Sequence, residues 1–183
     1  DLEGGNTAKK KEDKAGWSLA EGVSVWSTSL SIIALMDSYD IGIKKSMSYK
    51  ESIIWLSQQQ NINTHGWAYQ LYENCDVNVP MTSLALQALA KVYRNRLILN
   101  ALSSGFRYLR ESCILKRGQA YWCFLNRPHC AATTWSLLAI KELCQIPSLN
   151  SDIKKFYTKI NNSCISFILS MMPSKIEYWK EEQ

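Results

Sequence analysis

The sequence predicts an all-α fold made of repeated helical hairpins, and three observations predict it. Apolar residues recur at three- and four-residue spacing through most of the chain, which is the helical period. No stretch shows the strict apolar–polar alternation of a half-buried strand. A unit of about 50 residues recurs along the chain.

The composition fits a packed domain. The chain has 183 residues, 46% hydrophobic and 20% charged. A domain of that size buries enough surface to fold without a disulfide or metal staple. The net charge of +5 is spread along the chain, and the one basic run, Lys9-Lys10-Lys11, is followed by Glu12 and Asp13. No clustered footprint for nucleic acid results. The longest apolar run falls far short of the ~20 residues that span a bilayer. The six cysteines form no C-x-x-C pair and mostly sit in apolar stretches, as reduced cytosolic thiols do. A cytoplasmic protein is therefore expected. With no initiator Met and no visible signal peptide, it is expected to be a processed product or a fragment.

The elements follow in order. Residues 1–14 are polar and charged and read as a flexible tail or linker; residues 15–183 form one domain. Residues 25–39, 80–94 and 131–144 are apolar nearly all round, so these helices are expected to be buried on every side. Pro80 suits the first helical position of the second. Residues 48–60 form an amphipathic helix with a Ser48/Glu51 capping box. Residues 100–115 place Leu102, Phe106, Leu109 and Cys113 on one face. Residues 151–172 carry a stripe of Ile153, Phe156, Tyr157, Ile160, Cys164, Phe167 and Met171, ended by Pro173.

The buried helices align with one another. Thr28 to Leu35 matches Thr82 to Leu89 and Thr133 to Ile140, at offsets of 54 and 51 residues. Small residues occupy the fourth and seventh places: Ser31, Ala85, Ser136 and Ala34, Ala88, Ala139. The loops before them carry Gly16-Trp17, Gly66-Trp67 and Gly118-Gln119-Ala120-Tyr121, with Tyr178-Trp179 opening a further loop. The amphipathic helices carry Trp55-Leu56, Tyr108-Leu109 and Phe167-Ile168. The unit is thus outer helix, Gly-aromatic loop, buried inner helix. Two whole units span 46–97 and 99–147, flanked by half units at 15–45 and 150–183.

The run Trp55-Leu56-Ser57-Gln58-Gln59-Gln60, then Gly66-Trp67, then Thr82 to Leu89, resembles the repeat of terpenoid (squalene–hopene type) cyclases and protein prenyltransferase β-subunits. The resemblance implies a partial α/α toroid, an arc of about three helical hairpins with parallel inner helices, where full relatives close a ring with five to seven. It also implies which residues chemistry would need. The Asp-x-Asp-Asp cluster of the proton-initiated cyclases is missing, its nearest approach being Asp37 and Asp40. The Asp, Cys and His zinc triad of the prenyltransferases and the Cys-x-x-Gln of thioester toroids are missing as well. Cys123, His129 and Cys130 echo, in broken order, the zinc ligands of lanthionine-type cyclases; the plainer reading is two thiols and a loop histidine.

Two further groups stand out. Aligning the loops sets Glu21 beside Cys75 and Asp76 beside Arg127, and gathers Glu73, Asp76, Arg127 and His129 at one rim, near inner-helix N-termini that favour anions. The plainer reading is helix capping and loop solvation. Trp26, Trp122 and Trp135 are the aromatics left to face a cavity, as cation–π walls for isoprenoids or as packing. No catalytic residue and no cofactor is assigned. The expected function is a non-catalytic binding or protein-interaction module, part of a larger protein or complex. Its partner would be another chain or the remainder of a longer polypeptide, with a hydrophobic or isoprenoid ligand as a further expectation. The alternatives are an isoprenoid- or lipid-handling enzyme whose catalytic residues lie elsewhere, and a zinc-dependent toroid.

Overall fold

The structure is a computed structural model that describes residues 23–38, 47–69, 76–93 and 96–172. Within them the chain forms six α-helices and two small hairpins. The helices are α1 (Val25–Asp37), α2 (Met47–Gln58), α3 (Val79–Ala90), α4 (Arg96–Glu111), α5 (Cys130–Leu143) and α6 (Asn150–Ser170). The all-α expectation holds in its main part. The hairpins lie between α4 and α5: β1 (Ile114–Lys116) pairs antiparallel with β2 (Gln119–Tyr121), and β3 (Cys123–Phe124) with β4 (Arg127–Pro128).

These hairpins correct the reading of 100–115 as one helix. The helix stops at Glu111, and Ile114 opens a strand. Each hairpin turns through two residues with positive φ: Arg117 (52°) and Gly118 (77°) in the first, Leu125 (50°) and Asn126 (61°) in the second. Two successive positive φ values are the turn that matches strand twist, for which Gly and Asn are the favoured residues.

The helix starts follow local capping. Ser24 Oγ accepts the Ser27 N–H at 3.1 Å, Asn78 Oδ1 accepts that of Met81 at 3.0 Å, and His129 Nδ1 accepts that of Ala132 at 3.2 Å. Each satisfies a donor that the first turn leaves unpaired. Pro80 is therefore the second helical residue of α3, after Val79. Ser48 lies inside the first turn of α2 rather than at its cap. The long helix α6 has no side-chain cap at Leu149.

Helices α1, α3 and α5 form a row with α3 packed between the other two. They run in the same direction. Lys91 Nζ meets Asp37 Oδ1 at 2.8 Å where α1 and α3 end, and the Ser83 and Ser136 hydroxyls meet at 2.9 Å in the earlier turns of α3 and α5. Helices α2 and α4 pack against α3 from behind, and α6 packs on α5. Among the described helices only α3 is buried almost all round. On α1, Leu30 and Ala34 are exposed, and on α5 Leu138 and Lys141 are. The amphipathic α4 buries Ile98, Leu102, Phe106 and Leu109. Gly105 lets it press inward: a Cβ there would stand 2.7 Å from Trp67 Cζ3 and 2.8 Å from Leu86 Cδ2.

Candidate functional site

The repeat is held by a hydrogen-bond motif that occurs twice. The indole N–H of Trp67 donates to the Leu56 carbonyl at 2.8 Å, and that of Trp122 to the Leu109 carbonyl at 2.7 Å. Both carbonyls lie in the last turn of a helix, where intrahelical donors run out, although that of Leu56 also accepts the Gln59 N–H at 3.3 Å. The backbone N–H of Trp67 donates to Thr82 Oγ1 and that of Trp122 to Thr133 Oγ1. The two threonine hydroxyls donate onward to the carbonyls of Asn78 and His129, both at 2.9 Å. The N–H groups of Asn78 and His129 return to the carbonyls of Trp67 and Trp122. Each tryptophan thus joins the end of one helix to the start of the next.

This network corrects the loop alignment. Trp122, not Tyr121, is the equivalent of Trp67, and it is fully buried. Trp122 therefore leaves the set of cavity aromatics and joins the clamp. Tyr121 takes the place of Gly66. At Gly66 a Cβ would run into Val77 Cγ1 and stand 2.8 Å from Thr82 Oγ1, whereas the Tyr121 ring turns away to stack on Phe167 at 4.9 Å. Trp17 and Trp179, read as further equivalents, lie outside the described residues. Among the motif glutamines, Gln60 links the units: its amide donates to the carbonyls of His65 (2.7 Å) and Ala101 (3.0 Å).

The other two candidate aromatics do come together. The rings of Trp26 on α1 and Trp135 on α5 meet edge to face at 5.6 Å, across α3. Both are half-buried. Gln87 of α3 lies beside them, its amide donating to the Trp135 carbonyl at 3.3 Å. Leu30, 39% exposed, and Leu138, 43% exposed, are further apolar side chains of the same helices. Sequence reasoning did not single out Gln87, Leu30 or Leu138.

The rim residues are brought together only in part. Glu73 and Cys75, like Glu21 and Asp40, lie outside the described residues. Asp76 lines a cleft of about 560 Å³ between the start of α3 and the second hairpin, with Tyr69, Tyr108, Cys123 and Asn126. Arg127 and His129 are exposed and do not line it. Asp76 and Arg127 form no ion pair; the one among the described residues is Lys91–Asp37. His129 is an N-cap whose ring meets Phe124 edge to face at 5.6 Å. A larger cleft of about 680 Å³ lies on the outer side, between Arg107 and Arg110 of α4 and the Ser148–Asp152 approach to α6.

Cys123, His129 and Cys130 are not brought together as a ligand set. Among the described residues no three His, Cys, Asp or Glu side chains gather where they could hold a metal ion. Nδ1 of His129 is already engaged by Ala132. The five described cysteines are all free. Burial pushes the Cys113 thiol up to about 11, with Lys159 pulling weakly the other way. Burial also pushes Cys164 up to about 12, with the nearby Cys113 adding to it. Such thiols stay protonated and unreactive. No helix among the described residues is long and apolar enough to cross a membrane.

The chain matches no model of a known protein family, and no curated protein matches it.

Proposed function

We propose that the chain is a non-catalytic binding or protein-interaction module built on a partial α/α toroid, with α1, α3 and α5 as inner helices. The contact between Trp26 and Trp135 carries this reading. Two rings on the outer members of a three-helix row that meet across the middle helix support a row bent toward them. That bend makes a concave face, with Gln87 at its centre and Leu30 and Leu138 among the exposed apolar side chains of its flanking helices. A concave apolar face with a single polar group is the usual form of a binding surface.

The test is photo-crosslinking from Leu30 and from Leu138 in native extract. A discrete crosslinked species that disappears in Trp135→Ala is expected. No crosslink from either position, or a pattern untouched by Trp135→Ala, counts against the reading.

The same aromatic pair supports a second reading, an isoprenoid- or lipid-handling enzyme whose catalytic groups lie outside this chain. There, farnesyl diphosphate should change the tryptophan fluorescence of the wild type and not that of a Trp26→Phe/Trp135→Phe variant. No change in the wild type would exclude it.

A further inference from the structure

The cleft of about 680 Å³ on the outer side carries chemistry that neither the clamps nor the concave face uses. Ser103, Arg107 and Arg110 stand at i, i+4 and i+7 on α4, so they share one face, and that face lines the cleft. Ser148 and Ser151 line it from the other side, where the chain turns into α6. Phe106 joins the two sides. Its ring packs edge to face on Phe156 of α6 at 5.7 Å, and the Arg110 guanidinium lies 5.9 Å from its centre.

These polar groups are unengaged. Among the described residues neither arginine forms an ion pair, although Glu111 lies one turn on from Arg107 and Asp152 lines the same cleft. The hydroxyls of Ser103, Ser148 and Ser151 have no hydrogen-bond partner among the described residues. Two guanidinium groups against the one carboxylate of Asp152 leave the cleft with net positive charge. The start of α6 is not the source of that charge, because Asp152 already occupies its first turn. A guanidinium is a planar fork of donors that matches two oxygens of a phosphate, and free hydroxyls can serve a third.

We propose that this cleft binds a small phosphomonoester, with Arg107 and Arg110 on the phosphate oxygens and the three serine hydroxyls completing the donor set. The volume is that of a site for a small organic molecule and far exceeds what a bare oxyanion fills. Asp152 opposes the ligand's charge and limits its affinity. The site lies away from the concave face and does not rest on the module reading.

Titration calorimetry of the full chain with phenyl phosphate at low salt tests this. One site is expected. Arg107→Gln and Arg110→Gln should each weaken binding about tenfold or more, as loss of a charge-assisted hydrogen bond does. Asp152→Asn should strengthen it several-fold. Lys50→Gln removes an equal charge from α2, outside the cleft, and should leave binding unchanged. All four alter exposed side chains and should melt close to the wild type. No binding at millimolar phenyl phosphate overturns the proposal. So does binding that Lys50→Gln weakens as much as the arginine variants do, which would be unspecific attraction to a basic chain. Inorganic phosphate bound as tightly as the ester overturns the assignment of an esterified ligand.

Discussion

The indole of Trp122 caps the end of an outer helix by donating to the Leu109 carbonyl at 2.7 Å, and it does so with no exposed surface of its own. The bond reaches a carbonyl that α4 itself leaves without a donor. Trp122→Phe keeps most of the buried area and removes only that bond, so it should cost about 1–3 kcal/mol for the orphaned carbonyl. Trp122→Ala removes the ring as well and should cost about 3–5 kcal/mol. Trp67→Phe should cost less than Trp122→Phe, because the Leu56 carbonyl also accepts the Gln59 N–H at 3.3 Å, whereas Trp67→Ala should again cost about 3–5 kcal/mol. Urea unfolding of the four variants measures this; equal costs for the two Phe variants would show that the Gln59 bond does not spare the Leu56 carbonyl.

His129 and Asn78 perform one task with different side chains, each accepting an N–H three residues on. His129→Asn should therefore be nearly neutral. His129→Ala and Asn78→Ala should each cost about 1 kcal/mol. Thermal melts decide it. A costly His129→Asn would show that the imidazole does more than cap.

Ser83 and Ser29 occupy the same place in successive inner helices, yet only Ser83 has a hydroxyl partner, Ser136. Ser29 Oγ is buried with no hydrogen-bond partner. The residue one unit back from Ser136 is Ala85, which has no hydroxyl to offer. Ser136→Ala should cost about 1–3 kcal/mol, because it orphans Ser83. Ser29→Ala should be neutral or stabilising, and Ala85→Ser should stabilise the wild type but not the Ser29→Ala variant. Chemical denaturation of the three single variants and the double variant tests the set.

Cys113 and Cys164 ionise in the folded chain only near 11 and 12, against an ordinary value of 9.0. Their folded values lie above their unfolded ones, so the unfolded chain loses these protons first as pH rises. The stabilisation they give is complete below pH 9 and is lost progressively toward pH 11 to 12. A Cys113→Ala/Cys164→Ala variant should lose less stability over that alkaline range than the wild type does. Identical slopes would show that neither thiol titrates as its burial demands.

The helices were legible in the sequence because burial imposes the 3.6 period on stretches such as Ile153 to Phe167 and Leu102 to Leu109. The inner-helix alignment was legible too, since Thr82 and Thr133 perform one structural task. The loops were not. Gly118 attracted the alignment because Gly66 precedes Trp67, but Gly118 serves a hairpin turn at φ 77°. Strands of two or three residues are too short to show alternation, so nothing in the pattern marked them. A signal was present: Trp122 stands upstream of Thr133 as Trp67 does of Thr82. Of the candidate site, Trp26 and Trp135 were legible only as aromatics left over by the repeat; that their rings meet was not, because nothing in the spacing says how far apart two helices lie. The rim did not assemble as aligned, because His129 is used as a cap and Arg127 lies on the exposed strand β4.

The position of α3 between two parallel neighbours sets the order in which the molecule comes apart. Among the described helices only α3 has a helix on each flank and others against its back, and each clamp fastens a helix end to the start of the next helix. Opening can then begin at either end of the row without breaking the centre, as in other chains whose units touch only their neighbours. Amide exchange should be slowest in Leu84 to Leu89 and faster in α1 and in the last turns of α6. The centre of the sequence is thus the slowest part of the protein to surrender its protons to solvent, and the ends set the rate at which a protease first gains entry.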